Sequence, residues 1–320
     1  MPAQRVLAQS EESFEETTWA IAAQWLDDET VIATTTAGLH YQPSQLIRAS
    51  LADLDAAEVI GTGEASMWTA VPLGKSILAT DYKGGIHLFD SNSDQPTKVE
   101  AESRWIRASA KLPDGNVLLG TQDGKVLLLG SKELSIVKTA ALHESAIFDI
   151  SLSSDGTQFA TATETGEVGL FAVDDMKEVA KWSAGTQSVW GVAFAGSQIV
   201  TAGADRQIKV WDPEIKKLIV AITTLDNWGS SVVSIPDTSL AIVGSLGGSV
   251  TLVDAATLYP VATEQVADSG IWSLSISPNG QNLLAATRKH GLKVIDISTW
   301  PKVAQAAAAK AKATMPPVPK

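Results

Sequence analysis

The last hundred residues alternate in a way that reads as strands. In Ile271–Ser277, Trp272, Leu274 and Ile276 share one face, and Ser273, Ser275 and Ser277 share the other. Pro278-Asn-Gly280 interrupts this run, Asn282–Thr287 is a second apolar run, His290-Gly291 interrupts again, and Leu292–Ile297 is a third. A period of two marks a half-buried strand, and Pro, Asn, Asp and Gly between runs mark turns. The same punctuation stands at Pro113-Asp-Gly115, Ser154-Asp-Gly156 and Pro236-Asp237. A fourth, outer strand follows the third, as in Leu218–Ile222. No amphipathic helix stands out among these segments.

The pattern repeats. A short aliphatic strand that often ends in an acid begins at Leu39, Ile86, Val126, Val168, Ile208, Val250 and Leu292. Ahead of each lies an aromatic that opens a first strand: Trp19, Trp68, Trp105, Phe148, Trp190, Trp228 and Trp272. Both series advance by about 42 residues per step, the period of a four-stranded propeller blade. Seven such units predict an all-β, seven-bladed β-propeller of four-stranded antiparallel blades over residues 1–299. Residues 300–320, rich in Ala, Lys and Pro, read as a separate tail, disordered or a frayed helix.

Ala204-Asp-Arg-Gln-Ile-Lys-Val-Trp-Asp212 resembles the signature of the WD-repeat family, and Leu142-His143 resembles its Gly-His position. The resemblance spans nearly the whole chain. It implies closure of the ring by an N-terminal strand, here Gln4–Gln9, lent to the last blade. It also implies an Asp–His–Ser/Thr–Trp hydrogen-bond network in each blade. Only Asp123 and Asp205, His143, and Trp211 fill those positions, so no blade carries the full set. Apolar packing between sheets is expected to hold the blades instead. Blade one departs most, with Tyr41-Gln42 in place of the terminal acid.

Composition narrows the function. The chain has no cysteine, which excludes disulfides, thiolate metal sites and a cysteine nucleophile. Its formal net charge of −12 argues against gripping a phosphate backbone, so direct nucleic-acid binding is not expected. No signal-like or membrane-spanning run is visible, and a cytoplasmic or nuclear location is the expectation. His40, His87, His143 and His290 fall in different repeats without ligand spacing, so no metal is expected. Gly61-Thr-Gly-Glu-Ala-Ser66 begins like a phosphate loop but lacks the third Gly and the Lys, and reads as a flexible connection. No Gly-x-Ser-x-Gly elbow is present, and no cofactor or catalytic residue is expected.

The aromatic series is the sharpest feature, in a chain with 10 Trp against 3 Tyr and 6 Phe. In the family it resembles, this position faces the mouth of the central channel, where partners usually dock. Trp19, Trp68, Trp105, Phe148, Trp190, Trp228 and Trp272 would form a collar suited to anchoring a partner. Acids precede these rings, among them Glu64, Glu102, Glu144, Asp226 and Asp268, with Glu11, Glu12, Glu15 and Glu16 ahead of the first. Aromatics ringed by carboxylates suit a cationic guest. The expected function is a non-catalytic scaffold or complex subunit that captures a protein partner or basic peptide. The alternatives are a propeller enzyme acting at the channel and a purely structural assembly subunit.

Overall fold

A computed structural model describes residues 18–90, 95–214, 216–222 and 225–314. It is a ring of seven antiparallel sheets. The blades span residues 19–63, 71–100, 108–141, 147–183, 189–222, 229–265 and 271–296, each strand pairing with the next in sequence. Six blades have four strands and the seventh shows three. The proposed closing strand Gln4–Gln9 lies outside the described residues.

Burial explains the layering. The second strand of each blade is almost entirely buried, as in Leu240–Ser245 and Asn282–Thr287. Sheets cover such a strand on both faces. The outermost strands alternate between half-buried and exposed, as in Ser135–Ala141 and Tyr259–Gln265, because only one face meets a neighbouring blade.

Seven apolar clusters fill the seven interfaces between neighbouring blades. Pieces of the family network do form. His143 Nε2 meets Thr161 Oγ1 at 2.7 Å, and Trp211 Nε1 donates to Thr201 Oγ1 at 2.9 Å. Burial lowers the His143 pKa, and the hydrogen bond to Glu167 only partly offsets this, so the ring is neutral at pH 7. A further buried pair, His87 with Asp81 at 2.7 Å, sits in blade two.

Two sequence readings change. Blade one's third strand is Ser44–Ser50, and Leu39–Gln42 is a turn, with His40 at φ 68°. Gly61 and Gly63 end the long strand Asp53–Gly63 and are not a free loop. A Cβ on Gly61 would collide with the Phe89 ring, so close strand-on-ring packing, not phosphate binding, accounts for this glycine. The C-terminal helix, α1, runs over Trp300–Thr314. Trp300 and Ala304, one helical turn apart, are buried in the cluster between blades six and seven. No helix among the described residues is long and apolar enough to cross a membrane.

Candidate functional site

The first strand of each blade lines the axis, and in five of the seven blades it carries a β-bulge near its start. The register shifts across Ala20/Ala22, Ile147/Asp149, Val189/Gly191, Gly229/Ser231 and Ile271/Ser273. The extra residue of a bulge is left out of the ladder and re-aimed. Here it turns toward the axis. Ile21, Phe148, Trp190, Ser230 and Trp272 occupy these bulges, and with Trp68 and Arg107 they give one residue per blade around a neck of about 90 Å³. Beyond the neck the channel opens to about 430 Å³.

Four of the seven aromatics line the neck, and three stand two positions before the residue that does. Trp68, Phe148, Trp190 and Trp272 reach the neck, whereas Trp19, Trp105 and Trp228 precede the neck residues Ile21, Arg107 and Ser230. The seven predicted aromatics still form one contact network. Trp19 stacks on Trp272 at 5.8 Å, Trp105 bridges Trp68 at 5.4 Å and Phe148 at 5.9 Å, and Trp228 meets Trp190 at 6.0 Å. Trp272 also touches Trp68 at 6.1 Å and Trp190 at 6.2 Å. Those pairs skip a blade, so the rings meet across the axis and plug the channel.

Inside the plug sits a cation from the chain itself. The Arg107 guanidinium lies 4.3 Å from the Phe148 ring, 4.9 Å from Trp190, 5.1 Å from Trp68 and 5.4 Å from Trp105. Burial brings its pKa down to about 10, with Asp149 and Glu164 holding the charge in place. Asp149 sits on the same wall. Burial raises its pKa to about 6, against the N–H groups of Val192 and Ile150 and the charge of Arg107.

Below the plug, polar side chains serve the free edges of the inner strands. Val192 N–H donates to Asp149 Oδ2 (2.9 Å), Leu274 N–H to Ser231 Oγ (3.2 Å) and Ala23 N–H to Ser273 Oγ (3.0 Å). Each bond crosses from one blade to the next, so the girdle satisfies edge donors and ties the ring together.

Above the plug, exposure is uneven. Trp68 and Phe148 are buried, Trp19, Trp105, Trp190 and Trp272 are half-buried, and Trp228 is 40% exposed. The network continues outward from Trp105 through Tyr82 (5.6 Å) to Tyr41, which is 58% exposed. The sequence reading missed Tyr41 because it assigned Leu39–Gln42 to a strand.

The acids are partly engaged. Glu64 pairs with Lys83 at 3.4 Å, Asp268 with His290, and Asp226 Oδ1 accepts from Ser245 (2.7 Å) and Ser249 (2.9 Å). Glu102 and Glu144 are exposed. Arg288 covers Trp19 at 4.5 Å. Glu11, Glu12, Glu15 and Glu16 lie outside the described residues.

Seven blades, each lending one residue to a plugged axis, define a seven-bladed β-propeller. The WD domain, G-beta repeat family matches residues 176–212, which end on Trp211-Asp212. A WD repeat-containing protein of Synechocystis is 33% identical over 42% of this chain and 40% of its own length. A ciliary WD repeat-containing protein of Euplotoides octocarinatus is 32% identical over 30% of this chain and 13% of its own. Autophagy-related protein 16 of Arabidopsis thaliana is 23% identical over 58% and 37%. The chain spans less than half the length of these relatives. With the seven blades, these likenesses make the chain similar to the propellers of the WD-repeat family. Proteins of this family serve in general as protein-interaction scaffolds.

Proposed function

We propose that this propeller is a non-catalytic scaffold that docks a basic segment of a protein partner on the aromatic mouth of its channel. The observation that carries the reading is the single aromatic network, plugged at the axis and open at Trp228 and Tyr41. Large rings left half in water favour a partner that covers them. Two of the chain's own guanidinium groups already lie on these rings, so their faces suit cations. Exposed Glu102 and Glu144 add charge of the matching sign. Because the rings meet across the axis, the partner rests on the mouth and does not thread the channel.

The test is a fluorescence-anisotropy titration with Arg- and Lys-containing peptides, beside charge-reversed controls of the same length. Saturable binding of the basic set, weakened at least tenfold by Trp228→Ala with Tyr41→Ala, is expected. Binding that survives both substitutions at wild-type strength removes the mouth as the docking surface.

A further inference from the structure

The neck holds donors that nothing accepts. Trp68, Trp190 and Trp272 each bury an indole Nε1–H without a hydrogen-bond partner, and Arg107 buries Nη1 in the same condition. All four residues line the cavity of about 90 Å³. A buried donor without an acceptor loses its hydration with no return, and a charged one loses most.

The polar side chains of the wall are turned to other work. Asp149 accepts from Ile150 N–H and Val192 N–H, both at 2.9 Å. Ser231 and Ser273 accept from the next blades' inner strands, and Ser230 Oγ donates to the Gly244 carbonyl at 3.2 Å. Asp149 and Glu164 act on Arg107 across space, and no carboxylate among the described residues comes within the 4.0 Å of an ion pair. The mismatch is one-sided, with four donors and no side-chain acceptor assigned to them.

That asymmetry selects the ligand. A second cation would meet Arg107, whose guanidinium already covers the ring faces. A water would bring two donors of its own into a site short of acceptors. An anion accepts only. The cavity of about 90 Å³ is large enough for a halide or a carboxylate group. We propose that the neck binds a small anion, held by Arg107 Nη1 and the indole N–H groups of Trp68, Trp190 and Trp272. Such a ligand would lock four blades to one centre and set the height of the aromatic plug.

Crystals of the full chain soaked in sodium bromide test this directly. An anomalous peak in the neck, within hydrogen-bond reach of Arg107 and at least two of the indoles, is expected. A parallel soak with bromide and excess sodium acetate separates the sources. Loss of the peak shows that carboxylates share the site, and its persistence restricts the site to halides. In solution, bromide at constant ionic strength (balanced with sodium fluoride) should raise the melting temperature saturably. The rise should vanish in Arg107→Met and survive in part in Arg107→Lys. Should Arg107→Met fail to fold, the wild-type peak and the saturable rise still decide. Ordered water alone in the neck, with a melting temperature indifferent to bromide, overturns the proposal.

Discussion

Arg107 and Asp149 are opposite charges that share one buried wall without forming an ion pair. Burial raises Asp149 from 3.8 to about 6, so the folded chain holds this proton more tightly than the unfolded chain does. Its contribution to stability is fully present below pH 4 and is lost as pH rises to about 6. Urea unfolding of wild type and Asp149→Asn at pH 4 and pH 7.5 should show wild type losing roughly 2–3 kcal/mol relative to the variant across that interval. An unchanged difference would mean that the Asp149 carboxyl is not buried in the neck. The rings divide by burial as well. Trp68→Ala should cost about 3–5 kcal/mol, the usual penalty for deleting a core aromatic. Trp228→Ala should stay within about 1 kcal/mol of wild type while weakening peptide binding, because that ring is 40% exposed. Arg107 was hidden in the sequence by a neighbour. Trp105 supplies the aromatic of that repeat, whereas the residue that lines the neck stands two positions later. A cation is unexpected at a position that carries Trp or Phe in four blades, so a search by residue type passes over it.

At the scale of the element, strands and turns were legible because their signals are local. Gln158–Thr163, Ile208–Asp212 and Leu292–Asp296 are where period and punctuation put them. Bulges were not legible, since they depend on pairing with the next strand and leave the residue sequence unmarked. Blade one's third strand was misplaced for a related reason: the aliphatic Leu39 lies in a turn five residues before the true strand, so repeat spacing pointed to the wrong segment. The hairpin turns make a sharper claim. Gly124 sits at φ 77°, and a Cβ there would press into the carbonyl of His143, which leads to the next blade. Gly280 has a similar φ of 70°, but a Cβ there meets nothing within 4 Å. Gly280→Ala should therefore cost about 1 kcal/mol, the strain of a left-handed non-glycine residue. Gly124→Ala should cost at least 2 kcal/mol more, because the backbone itself must move. Thermal melts of the two variants side by side check the ordering, and equal costs would show that the Gly124 turn is free to shift.

The whole molecule depends on a seam between blades 7 and 1 that joins the two ends of the ring. The described residues already close it. Trp25 Nε1 donates to the Ser275 carbonyl (3.1 Å), Ser275 Oγ to Gln24 Oε1 (2.8 Å) and Asn279 N–H to Asp28 Oδ1 (2.9 Å). Trp25, Val31, Ala33, Leu284 and Val294 pack behind them in one cluster. An open row of blades would expose this apolar surface at both ends, so its burial rewards only the closed ring. Every blade then shares in the stability of the seam. Leu284→Ala, at a side chain with 0% exposure, should cost about 2–5 kcal/mol through the cavity it leaves. The variant should still unfold in one transition with an unchanged denaturant slope, because breaking the seam releases all seven interfaces together. Hydrogen exchange separates the alternatives. Protection lost evenly in every second strand, from Thr30–Thr36 to Asn282–Thr287, is the expected result for a closed ring. Loss confined to blades 7 and 1 would mean that the blades hold themselves up one at a time and that closure adds little.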